Sequence, residues 1–218
     1  MTTDVLIVES QVDGVAVLEM NRPDKRNALN AELRQAFIDS LAELAVDDGV
    51  KAVVLTGRGS TFCAGFDLAE LATAPRTEDV FAHATTYHHA VHTFTKPVVA
   101  AIEGAAVAGG MDLALMCDLR VAATGSKLGQ PQVKMGVPAA YDLVRTVVAE
   151  PVARELCLTG RIITSAEATE IGLIHKTVEP GTTRDEAMSW AQEIAAVPGA
   201  IAMKQAFISA QPPLFAPD

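Results

Sequence analysis

Aromatic residues make up only 5% of this 218-residue chain, with one tryptophan and two tyrosines, so its core must be largely aliphatic. Cysteine is scarce too: Cys63, Cys117 and Cys157 are odd in number and widely spaced. No CxxC or Cys/His metal spacing occurs, so these are predicted to be buried reduced thiols, with no metal site and no disulfide framework. Basic charge is in deficit, 17 Lys and Arg against 27 Asp and Glu, for a formal charge of −10. That balance argues against general nucleic-acid binding, which needs a basic surface to displace counterions. It does not exclude an anionic small ligand, because a few local cations and helix N-termini hold one. No window approaches the ~18 apolar residues of a membrane span. Met1-Thr2-Thr3-Asp4 is not a basic region leading into an apolar stretch, so a signal peptide is not expected and a cytoplasmic location is.

What is there is a chain that is 50% hydrophobic and 20% charged, long enough for one domain with a closed core. Residues 5–8 and 15–20 read as β-runs joined by the hairpin signal Asp13-Gly14. From Asn30, a plausible N-cap, Leu33, Phe37, Leu41 and Leu44 fall on one helical stripe. Residues 51–56, apolar between Lys51 and Thr56, read as a buried strand, residues 79–94 as a helix, and residues 97–102 as the next buried strand. Residues 104–110 turn into a helix that carries residues 113–116. Short strands are expected at 119–122, 127–129 and 173–178, and helices at 141–149, 152–158, 166–171 and 184–195. Strands alternating with helices give an α/β protein, without a linker or repeat to split it.

Two glycine segments carry the chemical information. Gly104-Ala-Ala-Val-Ala-Gly109-Gly110 has the glycine spacing of a phosphate loop, but Gly110-Met111 replaces the Lys-Ser/Thr that a nucleotide triphosphate requires. A Gly-Gly pair between an apolar strand and a helix lets a ligand approach closely and aims helix-N-terminal N–H groups at it. Phe62-Cys-Ala-Gly-Phe66-Asp67-Leu68 is placed the same way after the preceding strand. Either segment alone fits equally well a pair of tight turns.

Together, and in order, the segments resemble the crotonase superfamily, the enoyl-CoA hydratase/isomerase family. Asn21-Arg-Pro-Asp-Lys-Arg-Asn-Ala-Leu-Asn30 is similar to its N-terminal motif and Phe62 to Leu68 to its FxAGxDL segment. Lys96-Pro-Val-Val-Ala-Ala-Ile-Glu-Gly104, Ala108-Gly-Gly-Met-Asp-Leu113, Cys117-Asp118, Gly129-Gln-Pro131 and Leu158-Thr-Gly160 follow. The resemblance runs over residues 4–205, and is specific for the superfamily but not for one reaction. It implies a crotonase-like (ClpP/crotonase) spiral of ββα units over residues 1–195, with a shortened C-terminal helical segment over 196–218. It implies an acyl-CoA thioester as substrate, no separate cofactor, and a homo-oligomer, trimer or hexamer. The thioester oxygen would sit between the N–H groups of Phe66 and Gly109, an oxyanion hole in which losing one donor costs on the order of 10²–10³ in rate. Substrate and coenzyme A contacts would come from Arg22, Lys25, Arg26, Ala28, Ala64, Asp67, Leu68, Gly110 and Tyr141. The basic trio among them reads alternatively as a solvated loop.

The chain also departs from the pattern. Where hydratases carry two glutamates it has Asp112 and Gln132, the catalytic candidates. Paired carboxylates contribute roughly 10²–10⁴ each to proton transfer. Gln132 orients a water but exchanges no proton, and Asp112 is one methylene short, so weak crotonyl-CoA hydration is expected. Decarboxylation of a malonyl-type thioester would need no α-proton base. The stretch Gly136-Val-Pro-Ala-Ala-Tyr141-Asp-Leu-Val144 is similar, over a short span that needs an insertion, to the methylmalonyl-CoA decarboxylase branch; otherwise Tyr141 reads as an ordinary half-buried tyrosine. A catalytically silent acyl-CoA binding protein is a further alternative. His88 and His92, four apart on one helical face beside His89, lack a third ligand and read as a structural or surface cluster. The aryl-CoA dehalogenase branch places a histidine near His88, but Asp142 stands out of register for its aspartate. Relatives continue in further C-terminal helices, so trimer formation and the closing of the acyl pocket would differ here; Pro212-Pro213 ends any helix before it.

Overall fold

The computed structural model of the chain describes residues 2–215, apart from the side chains of Ser10, Gln11 and Thr77; residues 216–218 of the expected C-terminal segment lie outside it. Asp13 and Gly14 take φ of 52° and 79°, the twist a two-residue hairpin requires, and join β1 (Leu6–Val12) to β2 (Val15–Met20) in antiparallel register. A 3₁₀ turn at Pro23–Lys25 follows, then α1 (Ala31–Val46). Asn30 caps α1 as expected, its side chain accepting from the Leu33 amide at 3.0 Å. The stripe Leu33, Phe37, Leu41 and Leu44 is buried.

From there the chain repeats one step. A strand joins a large sheet, a three-residue strand joins a small one, and a helix or 3₁₀ turn leads on to the next. The first step is β3 (Ala52–Gly57) and β4 (Thr61–Cys63), then α2 (Leu68–Thr73) and α3 (Thr77–His92). The second is β5 (Val98–Ile102), β6 (Ala105–Val107) and α4 (Gly109–Met116). The third is β7 (Leu119–Ala123), β8 (Lys127–Gly129) and a 3₁₀ turn over Pro131–Met135, followed by α5 (Tyr141–Val147) and α6 (Glu150–Thr159). The chain continues through β9 (Ile162–Thr164), α7 (Ser165–Glu170), β10 (Lys176–Val178), α8 (Thr183–Ala195) and α9 (Ala200–Ala210).

Among the described residues the large sheet has the order β1-β2-β3-β5-β7-β10 and the small one β4-β6-β8-β9. This is the ββα spiral. β3 and β5 are buried on both faces, as parallel strands covered from both sides must be. One face carries the main core with α1, α3 and α4; the other packs Val54, Val99 and Val121 on Ala187 and Ala191 of α8. Those two alanines, four apart, let α8 lie close against the sheet.

β4, β6, β9 and α2 are absent from the sequence reading, since three-residue strands and six-residue helices are too short to show a period, while α9 lies within the residues read as a C-terminal helical segment. Of the thiols expected to be buried, Cys63 and Cys117 are, but Cys157 on α6 is only half-buried. Among the described residues no helix is long and apolar enough to cross a membrane, and no group of three or more His, Cys, Asp or Glu side chains could hold a metal ion.

Candidate functional site

Because β4, β6 and β8 lie side by side and parallel, three successive turns of the spiral end at one edge of the small sheet. β4 runs out into Ala64-Gly65-Phe66, β6 into Ala108-Gly109, and β8 into Gln130-Pro131-Gln132. A Cβ built on Gly65 would lie 3.1 Å from the Gly109 nitrogen and 3.0 Å from the Ala108 Cβ, so the first two turns touch. Gly65 also takes φ of 91°, which only glycine adopts without strain.

Among the described residues, the amides of Phe66 and Gly109 are both left without a backbone partner. Phe66 bridges to Leu29, but the two bonds of that bridge run from Leu29 N to Gly65 O and from Asp67 N to Leu29 O, bypassing the Phe66 amide. Gly109 is the first residue of α4, so its N–H points out of the helix. Ala108 before it holds φ 51° and ψ −129°, a region that an L-residue enters only under strain, typically ~1–3 kcal/mol.

Both turns open on a cavity of about 490 Å³ whose walls include Ala64, Phe66, Leu68, Gly109, Asp112 and Gln132. Asp112, one turn into α4, is buried, and burial pushes its carboxyl up from 3.8 to about 7 against the opposing effect of a hydrogen bond from Gln130. Gln130 Nε2 donates to Asp112 Oδ1 at 2.7 Å, and Gln132 Nε2 donates to Gln130 Oε1 at 2.5 Å. The far oxygen of Gln132 is buried without a partner.

The histidines divide. His88 of α3 lines the cavity, 5.9 Å from the Phe66 ring and 4.8 Å from Phe215, with its Nε2 unpartnered. Burial, and secondarily Arg34, pull it down to about 4, so it is neutral at physiological pH. Of the structural and surface readings of the histidine cluster, His88 fits the structural one, since α3 turns it inward against Phe66. His92 packs on Phe215, and burial lowers it as well.

Several expected ligand contacts are occupied by the protein itself. Arg22 donates to the carbonyl of Ala28 and pairs with Asp67 at 3.0 Å, so Lys25 and Arg26 are the exposed cations of the loop. Asp67 caps α2 by accepting from the Ala69 amide at 3.0 Å. The side-chain face of Gly110 packs on β4: an added Cβ would fall 2.1 Å from the Cys63 carbonyl oxygen. Tyr141 lies outside the cavity lining, its hydroxyl donating to Glu150 at 3.2 Å, because α5 turns it toward α6. Asp142 is likewise outside, paired with Arg145 at 2.9 Å.

Sequence reasoning passed over the supports. Asn27 is fully buried, takes φ of 53°, and donates from Nδ2 to the carbonyls of Arg58 and Thr61. Arg34, 1% exposed, forks onto Glu70 of α2 at 2.8 and 3.1 Å and lies 5.5 Å from the Phe66 ring centroid. The available signal was a single arginine beside the apolar stripe of α1. Gln130 was visible only as the middle of Gly129-Gln-Pro131.

Residues 10–212 match the model of the family described as enoyl-CoA hydratase/isomerase. The chain belongs to this family. A Thermus thermophilus relative, provisionally named an enoyl-CoA hydratase, is 42% identical over 196 residues, spanning 87% of this chain and 78% of the relative. The 4-chlorobenzoyl coenzyme A dehalogenase-2 of an Arthrobacter species is 34% identical, over 90% of this chain and 74% of that one. The crystal structure of the Mycobacterium smegmatis enoyl-CoA hydratase superposes with a TM-score of 0.87 at 32% identity, covering 94% of this chain and 82% of the other. The crotonase fold and an enzyme of the enoyl-CoA hydratase/isomerase family are thereby shown.

Proposed function

We propose that this enoyl-CoA hydratase/isomerase family member polarises an acyl-CoA thioester between the amides of Phe66 and Gly109 and uses Asp112 as its acid or base. The observation that supports the reading is that Phe66, Gly109 and Asp112 line a single cavity, with neither amide holding a backbone partner among the described residues and the carboxyl pushed up to about 7 by burial. Amides fixed by backbone geometry stabilise the enolate oxygen at no reorganisation cost in the transition state. A carboxyl poised near pH 7 both gives and takes a proton at working pH. Gln132 stands where a second carboxylate would serve, so it orients a water or the substrate and leaves proton transfer to Asp112. Lys25 and Arg26 are the cations available for coenzyme A phosphates.

The cavity lining supports this reading over its rivals. It includes no lysine or arginine to hold a malonyl carboxylate, and the buried Asp112 would repel one. Tyr141, which a decarboxylase would bring to the substrate, faces Glu150. The dehalogenase named among the relatives raises the aryl-thioester reading, but Asp142 is paired on the surface and supplies no nucleophile.

The test is steady-state turnover of a series of 2-enoyl-CoA thioesters by wild type and Asp112→Asn. Slow hydration is expected from wild type. In the variant kcat should fall by about 10²–10⁴ with acyl-CoA affinity retained. Equal activity of the two would overturn the role of Asp112. Tight acyl-CoA binding without turnover of any thioester would establish a silent binding protein instead.

A further inference from the structure

Asp112 and Gln132 both line the cavity, and two side-chain amides, Gln130 and Gln132, follow Asp112 in one hydrogen-bonded series. An amide offers an oxygen that only accepts and a nitrogen that only donates, so a chain of amides has a direction. Here the donors point toward Asp112: Gln130 Nε2 to Oδ1 at 2.7 Å, and Gln132 Nε2 to Gln130 Oε1 at 2.5 Å. The series ends on the Gln132 oxygen, buried and without a partner among the described residues, on a residue that lines the cavity. This is the order an acceptor-only carboxylate imposes. A protonated carboxyl imposes the opposite one, since its O–H needs an acceptor. Gln130 is fully buried and is the group already hydrogen-bonded to that carboxylate. Rotating the Gln130 amide half a turn gives its oxygen to the carboxyl proton and its nitrogen to Gln132. The Gln132 amide then turns as well, and its nitrogen becomes the free end.

We infer that Gln130 is a relay that makes the hydrogen-bonding sense of Gln132 follow the charge of Asp112: acceptor toward the cavity when Asp112 is anionic, donor when it is neutral. The geometry favours concerted reversal, because reversing one amide alone would set two donors or two acceptors against each other at a buried contact, costing ~1–3 kcal/mol. Gln130 is thus a positioning residue. The consequence for a substrate rests on the function proposed above: a ligand N–H would be matched when Asp112 is anionic and a ligand carbonyl when it is neutral, while a hydroxyl would fit either.

Asp112 supplies the switch because its neighbours do not titrate in the same range. β4 presents Cys63, pushed up to about 12 by burial, and α3 presents Tyr87, raised well above its ordinary value, and His88, lowered to about 4. α6 presents Cys157, also raised by burial. α5 buries Leu143 and Val144, and its charged Asp142 and Arg145 pair with each other at the surface.

The relay is tested without substrate, so its failure and failure of the proposed function are separable. Side-chain amide resonances of Gln130 and Gln132, assigned through Gln130→Met and Gln132→Met, are followed by ¹⁵N NMR between about pH 5 and 9, together with the Asp112 carboxyl carbon. Both amides are expected to move with one shared midpoint, that of Asp112, near 7. In Asp112→Asn neither should titrate. In Gln130→Met the Gln132 amide should stop titrating while the Asp112 carbon still does. A Gln132 amide that titrates unchanged in Gln130→Met, or that stays fixed in wild type while Asp112 titrates, would overturn the relay. Should Gln130→Met fail to fold, the shared midpoint in wild type and its loss in Asp112→Asn decide the matter.

Discussion

Asp112 shows what one residue contributes when burial and chemistry pull apart. Its carboxyl is raised in the folded state, so the folded protein holds that proton more tightly than the unfolded chain does. Stability from this group is full below the ordinary carboxylate value of 3.8 and declines as pH rises to about 7, where the loss levels off. A shift of that size corresponds to on the order of 4 kcal/mol. Asp112→Asn is therefore expected to remove the decline and to unfold at higher denaturant than wild type at about pH 8, even as activity is lost; urea melts across the pH range check it. Ala108 carries a second local cost. Ala108→Gly should stabilise the protein by about 1 kcal/mol in urea melts, strain relief exceeding the entropy gained by the unfolded chain.

Among the elements around the site, α2 is held by polar anchors more than by apolar area. α2 buries no residue of its own, and its attachments are the Asp67–Arg22 pair and the Glu70–Arg34 pair, with the Ala31 amide also donating to Glu70. Arg34 is the sequestered partner, so truncating it leaves Glu70 uncompensated. Arg34→Ala should cost about 3 kcal/mol and make residues 68–76 the first site of limited proteolysis, and lysine, lacking the fork, should not rescue it. The α4–β4 contact is steric. Gly110→Ala would drive a methyl into the Cys63 carbonyl, 2.1 Å away, and should cost about 3 kcal/mol or abolish folding, measured by the yield of folded protein and its melting.

On the scale of the whole molecule, the spiral hides its thiols unequally. Cys63 and Cys117 are buried and pushed up to about 12 by burial, while Cys157 on α6 is half-buried. An aromatic disulfide reagent should label a single thiol, Cys157, in the native protein and all three after unfolding, with Cys157→Ser abolishing the native reaction. Labelling of Cys63 in the native state would mean that β4 opens beside the cavity.

Local order along the chain determined a good deal: the Asp13-Gly14 hairpin, the Asn30 cap, the buried stripe of α1, the apolar central strands and the ordered glycine motifs that mark the family. Each depends on neighbouring residues or on a short period, which a linear string records. Only the tertiary structure decided which residues meet. Stacking β4, β6 and β8 in parallel brings Phe66, Gly109 and Gln130 from three distant segments to one edge, turns His88 inward and Tyr141 outward, and ties Arg22 to Ala28 and Asp67. The elevated carboxyl of Asp112 is likewise a property of burial, and burial is decided by what the rest of the chain packs around it.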